Sequence, residues 1–185
     1  MQVVTVPEST ARVEAWADTS WRRTADGTLQ TMHGHVALLA GRKASGEPVL
    51  EQVPAEHVGD AGYRLLGTPG LALGCAEGDV VTVADDGDFE VVARGGNLSV
   101  LVHGEHLAGI LAALSRTFAT IGGTVEAPED IAFVVITVPV AAGFSAVERA
   151  VGEAVGDAPG AQWFYGNVYD ELDQPLNWWA TEPQT

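Results

Sequence analysis

The sequence predicts an α+β fold, with a mostly β N-terminal half forming a small meander or partly closed barrel, followed by a ferredoxin-like β-α-β-β-α-β half. Three observations predict it. Short apolar runs broken by Gly, Pro and Asp turns recur at close spacing up to Gly96. From Asn97 onward strands alternate with two stretches of helical apolar spacing. Hydrophobic residues make up 46% of the 185, enough to bury a core and too many for a disordered chain.

In order, Gln2 to Gln30 reads as a polar lead-in. Val3, Val4 and Val6 suggest a short strand, Arg12 to Ala17 alternates as a half-buried one, and Asp26-Gly27 signals a hairpin. His35–Ala40, Val49–Glu56 and Tyr63–Leu66 are the next predicted strands. Gly67-Thr68-Pro69-Gly70 breaks the last of them. A small-residue loop, Leu71 to Asp79, then delivers the chain to Val80–Val83, which Asp85-Asp86-Gly87-Asp88 turns back into Phe89–Arg94.

In the second half Leu98–Val102 is a predicted strand. Leu107, Ile110, Leu111, Leu114 and Phe118 mark a helix over about 105–119, ended by Gly122-Gly123. Thr124–Glu126 and Ala132–Val138 are strands. Ser145 with Glu148 three residues on predicts a capping box for a helix that buries Val147, Val151, Ala154 and Val155. Gln162–Tyr169 is the last strand. The expected organisation is 1–96, 97–170 and a tail of 171–185, packed as one compact unit. Within the tail, Trp178 and Trp179 side by side predict that at least one packs on the body.

The stretch Tyr63 to Val81, with its Tyr-Arg-Leu strand, Pro69, small-residue loop and Gly78-Asp79-Val80-Val81, resembles a bacterial domain of unknown function, the family numbered 4265. Glu51 to Glu56, Arg94-Gly95-Gly96-Asn97 and the strand ending in Val138-Pro139 fit the same pattern. The resemblance covers roughly 34–169. It implies a fold and no assigned chemistry. Where the family often carries Ser-Gly-His after the hairpin, this chain has Gly95-Gly96-Asn97, so a candidate histidine is absent.

Charge narrows the partners. The chain carries 25 acidic and 9 basic residues, a formal charge of −16, which disfavours nucleic acid and anionic membranes. Solubility alone explains such a charge, but its distribution is uneven. After Arg116 the only base is Arg149, while Glu126, Glu129, Asp130, Glu148, Glu153, Asp157, Asp170, Glu171, Asp173 and Glu182 follow. The aromatics Trp163, Tyr165, Tyr169, Trp178 and Trp179 lie in the same half and, with Asp170, Glu171 and Asp173, form the expected partner-binding set. The alternative for these aromatics is core packing or cover of a sheet edge.

No His-Glu-x-x-His, Gly-x-Ser-x-Gly or phosphate-loop motif occurs. No catalytic residue, metal site or cofactor is therefore expected. His103-Gly104-Glu105-His106 reads as a solvated turn, with metal binding as the weaker alternative, and the same holds for His33 and His35. The lone Cys75 is expected to be a small buried residue. Gly95-Gly96-Asn97 is a turn or, less simply, an anion cradle. The N-terminus lacks a basic, then apolar leader, and the longest apolar run, Ile131–Val140, is about half a membrane span, so a cytoplasmic protein is expected.

Three functions follow. The first is a non-enzymatic acidic module that binds a basic protein, in the manner of an inhibitor or immunity partner of a toxin. The alternative is a small-molecule-binding or enzymatic domain using a groove on the sheet, with Arg64, Arg94 and Asn97 as ligand contacts. The third is a homodimer joined through sheet edges.

Overall fold

The computed structural model describes residues 34–156, 158 and 160–169, together with the strand pair β1 (Arg22–Arg23) and β2 (Leu29–Gln30). The strands expected at Val3–Val6 and Arg12–Ala17, and the tail with Trp178 and Trp179, lie outside the described residues. The chain divides into two units, Met1–Met32 and His33–Thr185. In the first, β1 and β2 pair antiparallel on either side of Asp26-Gly27.

The second unit holds two antiparallel sheets, an α+β architecture. The first sheet is a meander of β3 (Gly34–Arg42), β4 (Pro48–His57), β5 (Tyr63–Leu65), β6 (Val80–Val83) and β7 (Phe89–Ala93), in that spatial order. Its two ends approach each other. The amide of Leu39 on β3 donates to the carbonyl of Gly87 in the β6–β7 turn at 2.8 Å, and Arg42 pairs with Asp86 in the same turn at 3.4 Å. Both the meander and the partial closure expected from the sequence are present. Alternate residues fill the interior: Val36, Leu38, Val53, Ala55, Leu65 and Val81 are buried together.

The second sheet has the spatial order β11-β8-β10-β9, built from β8 (Asn97–His103), β9 (Thr124–Glu126), β10 (Phe133–Pro139) and β11 (Gln162–Tyr165). Helices α1 (Leu111–Ala119) and α2 (Phe144–Val155) sit between β8 and β9 and between β10 and β11 along the chain, so the predicted β-α-β-β-α-β succession is present. One sheet face, carrying Leu98, Val100, Val102, Val134, Ile136 and Val138, packs with Leu114 and Phe118 of α1 and Val147 and Val151 of α2.

Three local expectations need correction. The first helix is shorter than its apolar spacing suggested. Gly104 at φ 141° and His106 at φ 61° hold the chain in non-helical backbone, and a single 3-10 turn at Leu107–Gly109 precedes α1. The capping box at Ser145 does not form. The helix is capped two residues earlier, by Gly143 at φ 82°, and Phe144 sets its ring edge-on to Tyr165 at 5.4 Å. The last strand ends at Tyr165, because the Ser99 amide that would continue the ladder donates to the Asn167 side chain at 2.9 Å, and the Gly166 carbonyl accepts from Gly74 instead.

The other face of the second sheet is buried too: Ser99, Leu101, Val135 and Thr137 are all less than 9% exposed. What covers them is the segment 66–79. Thr68 and Thr137 share a hydroxyl hydrogen bond of 2.6 Å. Gly70 lies so close to Phe133 and Val135 that a β-carbon there would collide with the Phe133 ring. The Gly74 amide donates to the carbonyl of Gly166 at 2.7 Å. The same segment sends Ala72 and Cys75 the other way, into the core of the first sheet. It is therefore a shared layer between the sheets. That explains why β8 and β10 carry apolar or small polar residues on both faces and do not alternate with charged ones.

Candidate functional site

The segment 66–79 has little regular structure, so its backbone donors need other partners. Two carboxylates supply them. Glu51 of β4 accepts from the amides of Gly70, Leu71 and Ala72, each at 2.8 Å. Asp79, fully buried, accepts from the amides of Ala76 at 3.0 Å and Gly95 at 2.6 Å and from the Arg94 guanidinium at 3.1 Å. A buried carboxylate is stable only with such partners. Gly95 must be glycine here, since a β-carbon would overlap the Gly78–Asp79 peptide.

The expected ligand contacts are absorbed by this framework. Arg94 also donates to the carbonyl of Gly74 at 2.8 Å. Asn97 donates to the carbonyl of Glu77, and its own carbonyl accepts from Asn167, each at 2.9 Å. Arg64 pairs with Glu56 across β4 and β5 at 2.7 Å. The Gly95-Gly96 turn has one of its amides already bound to an anion, the carboxylate of Asp79. The groove expected on the sheet is filled by 66–79. Arg64, Arg94 and Asn97 line neither of two open clefts, of about 250 and 270 Å³, formed by the described residues.

The aromatic set divides. Tyr165 is 2% exposed, with its ring edge-on to Trp163 at 5.5 Å and to Phe144 on α2. It is a core residue, and as a partner contact it is withdrawn: position 165 pairs with Val100, whose side chain faces the helices. Burial, then the nearby Glu148, pushes its phenol pKa up. Trp163 shares that face at the open edge of the sheet and is half-buried. Tyr169 is half-buried and donates to the carbonyl of Gly166 at 3.3 Å, its pKa raised by burial first and by Cys75 second. Asp170, Glu171, Asp173, Trp178 and Trp179 lie outside the described residues.

Cys75 is 1% exposed, and burial, assisted by the Asp79 and Glu51 charges, pushes its thiol up to about 12. That is the opposite of an activated nucleophile. His103 tilts against Phe164 at 5.7 Å, while His106 and Glu105 are solvated, 4.0 Å apart. Among the described residues no group of three or more His, Cys, Asp or Glu is placed to hold a metal ion.

The electrostatics are segregated. Among the described residues, the ion pairs of Lys and Arg are Arg42–Asp86, Lys43–Glu47, Arg64–Glu56 and Arg94–Asp79, all before residue 97. Glu126, Glu129, Asp130 and Glu153 are exposed, and none has an ion-pair partner among the described residues. No helix among the described residues is long and apolar enough to cross a membrane.

A two-sheet α+β protein with an interlayer loop pinned by two carboxylates, one of them fully buried, is the class these features define. The chain belongs to the family described as domain of unknown function DUF4265, whose model matches residues 51–160, a narrower span than the motifs suggested. That span contains Glu51, the whole pinned segment and Gly95. The fold is similar to that of a hypothetical protein from Neisseria gonorrhoeae known from a crystal structure, with a TM-score of 0.54 at 12% identity, covering 74% of this chain and 96% of that one. No curated protein matches the chain.

Proposed function

We propose that this chain is a non-enzymatic, cytoplasmic binding module whose partner is a basic protein, acting as an inhibitor or immunity-type protein does towards a toxin. The observation that carries the reading is that, among the described residues, the ion pairs of Lys and Arg lie in the β3–β7 half. The exposed acids Glu126, Glu129, Asp130 and Glu153 therefore keep their field for a partner. Glu126 ends the edge strand β9, and Glu129 and Asp130 occupy the turn that follows. Of the expected aromatic set, Trp163 and Tyr169 are the described members left with surface to offer. The second half carries the ferredoxin-like arrangement in this reading, used as a rigid support for charge and not as a ligand groove.

The family motifs lend no support to an enzyme, because Glu51, Asp79, Arg94 and Asn97 are engaged in holding segment 66–79. The test is affinity capture with the full chain as bait in a lysate of the source cells at low salt. The captured protein is then purified and recombined with the bait. A basic protein that rebinds stoichiometrically and is released by salt supports the proposal. Recovery of an acidic partner only, or of none, overturns it.

A further inference from the structure

The barrel is closed at one point and open beside it. Leu39 on β3 reaches the Gly87 carbonyl, but no other strand pairs with that side of β3 among the described residues. Residues two apart on a strand direct their backbone groups to the same side, so the amides of Ala37 and His35 face the same seam. The seam holds a cleft of about 250 Å³. Its apolar wall includes Val36, Leu50 and Val83, and its polar lining comes from His35, Tyr63 and Asp85.

The Asp85 carboxylate and the Tyr63 hydroxyl differ from the other candidates in making no hydrogen bond or ion pair among the described residues. Asp85 has no ion-pair or hydrogen-bond partner among the described residues, whereas its neighbours Asp86 and Asp88 are engaged, with Arg42 and with the amide of Phe89. The Tyr63 ring is held edge-on to His57 at 5.3 Å, and its hydroxyl makes no hydrogen bond among the described residues. The charge around the seam is negative: Asp85, Asp86 and Asp88 against Arg42, which Asp86 already meets.

We infer that the seam between β3 and the β6–β7 turn binds a small organic cation, a guanidinium or alkylammonium group, between the Asp85 carboxylate and the Tyr63 ring. A carboxylate and an aromatic ring lining one cleft with an apolar wall supply the pairing and the cation–π attraction such a group needs. The volume lies just below the range of about 300–1,000 Å³ for drug-sized ligands, which restricts the occupant to something small. This site is independent of the acidic surface of the second half, since it uses none of Glu126, Glu129, Asp130 or Glu153.

Agmatine, which carries both groups, is the probe. It is titrated into the full chain while the amide resonances of all residues are followed, with acetate as the anionic control. The expected result is saturable shifts at 35–37, 63 and 83–87, with a Kd near about 1 mM or tighter. D85N weakens binding by about tenfold or more, while E105Q, which removes a solvated acid of the second half, leaves it unchanged. An arginine capped at both ends is the second probe. Tighter binding of capped arginine assigns the site to a protein side chain, and tighter binding of agmatine assigns it to a free metabolite. Shifts that do not saturate, that spread over the other acidic residues, or that persist in D85N at unchanged affinity overturn the inference.

Discussion

The amide of Gly95 donates to the carboxylate of Asp79 at 2.6 Å, joining the start of the second sheet to the end of the interlayer segment. The same carboxylate takes the Ala76 amide and the Arg94 guanidinium. The two kinds of partner differ in weight. Arg94 is 55% exposed and finds water when its partner is lost, whereas the Ala76 amide is buried and does not. Asp79→Ala is expected to cost about 2–4 kcal/mol, mostly from stranded amides. Arg94→Met is expected to cost less, about 1–2 kcal/mol, because it takes the counter-charge from the buried carboxylate but leaves both amides bound to it. Urea unfolding of both variants checks this, and equal losses would contradict it.

Glu51 acts locally. Its carboxylate holds three successive amides, Gly70, Leu71 and Ala72. Glu51→Gln keeps the shape but replaces one oxygen with a donor, so at most part of the set survives. Hydrogen exchange of these amides is expected to speed up by about tenfold or more, with a global loss of about 1–2 kcal/mol. Unchanged exchange at 70–72 would show that the segment is held by its packing alone.

Alkaline stability follows from Cys75. Its thiol is pushed up to about 12 in the folded protein, above its value in the unfolded chain. Once the pH passes the unfolded value of about 8.5, the unfolded state loses a proton that the folded state keeps. Stability is therefore complete below that value and falls as pH rises towards 12, at up to about 1.4 kcal/mol per pH unit from this group. Tyr165 and Tyr169, both raised, act in the same direction at higher pH. Thermal melts between pH 8 and 11 on the wild type and on Cys75→Ala measure the slope. A slope that Cys75→Ala leaves unchanged would refute the thiol's part in it.

Much of the fold was legible because period and punctuation carry it. The strands of both sheets announce themselves as apolar runs between Gly, Pro and Asp turns, and Val147, Val151, Ala154 and Val155 do fall on one buried face of α2. The misplaced elements are those where tertiary contact outweighs local preference. Phe144, edge-on to Tyr165, lies in the first turn, and the helix starts ahead of the Ser145 signal. A left-handed His106 shortens α1, although nothing in its chemistry demanded that conformation.

The site was far less legible. Carboxylates that bind backbone amides 16 or 19 residues away leave no spacing rule in the sequence. The available signal was Asp79 lying between a glycine and an apolar strand, where an acid has no reason to be buried without partners. Tyr165 was separable from Phe164 by parity. Once β11 pairs with β8, position 165 must join Val100 on the helix side. The apolar or small polar residues on both faces of β8 and β10 likewise announced a second covered face, and with it the loss of the sheet groove.

The direct measurement is the salt dependence of binding between the captured basic partner and two forms of this chain, the wild type and a variant with Glu126, Glu129, Asp130 and Glu153 all changed to Lys. These positions are exposed, so the variant is expected to fold, which its circular dichroism and melt would verify. Wild-type affinity should fall at least about tenfold between 50 and 500 mM salt, and the variant should bind at least about a hundredfold more weakly at low salt. Equal affinity of the two forms, or binding indifferent to salt, would contradict the assignment of this acidic surface to a basic partner.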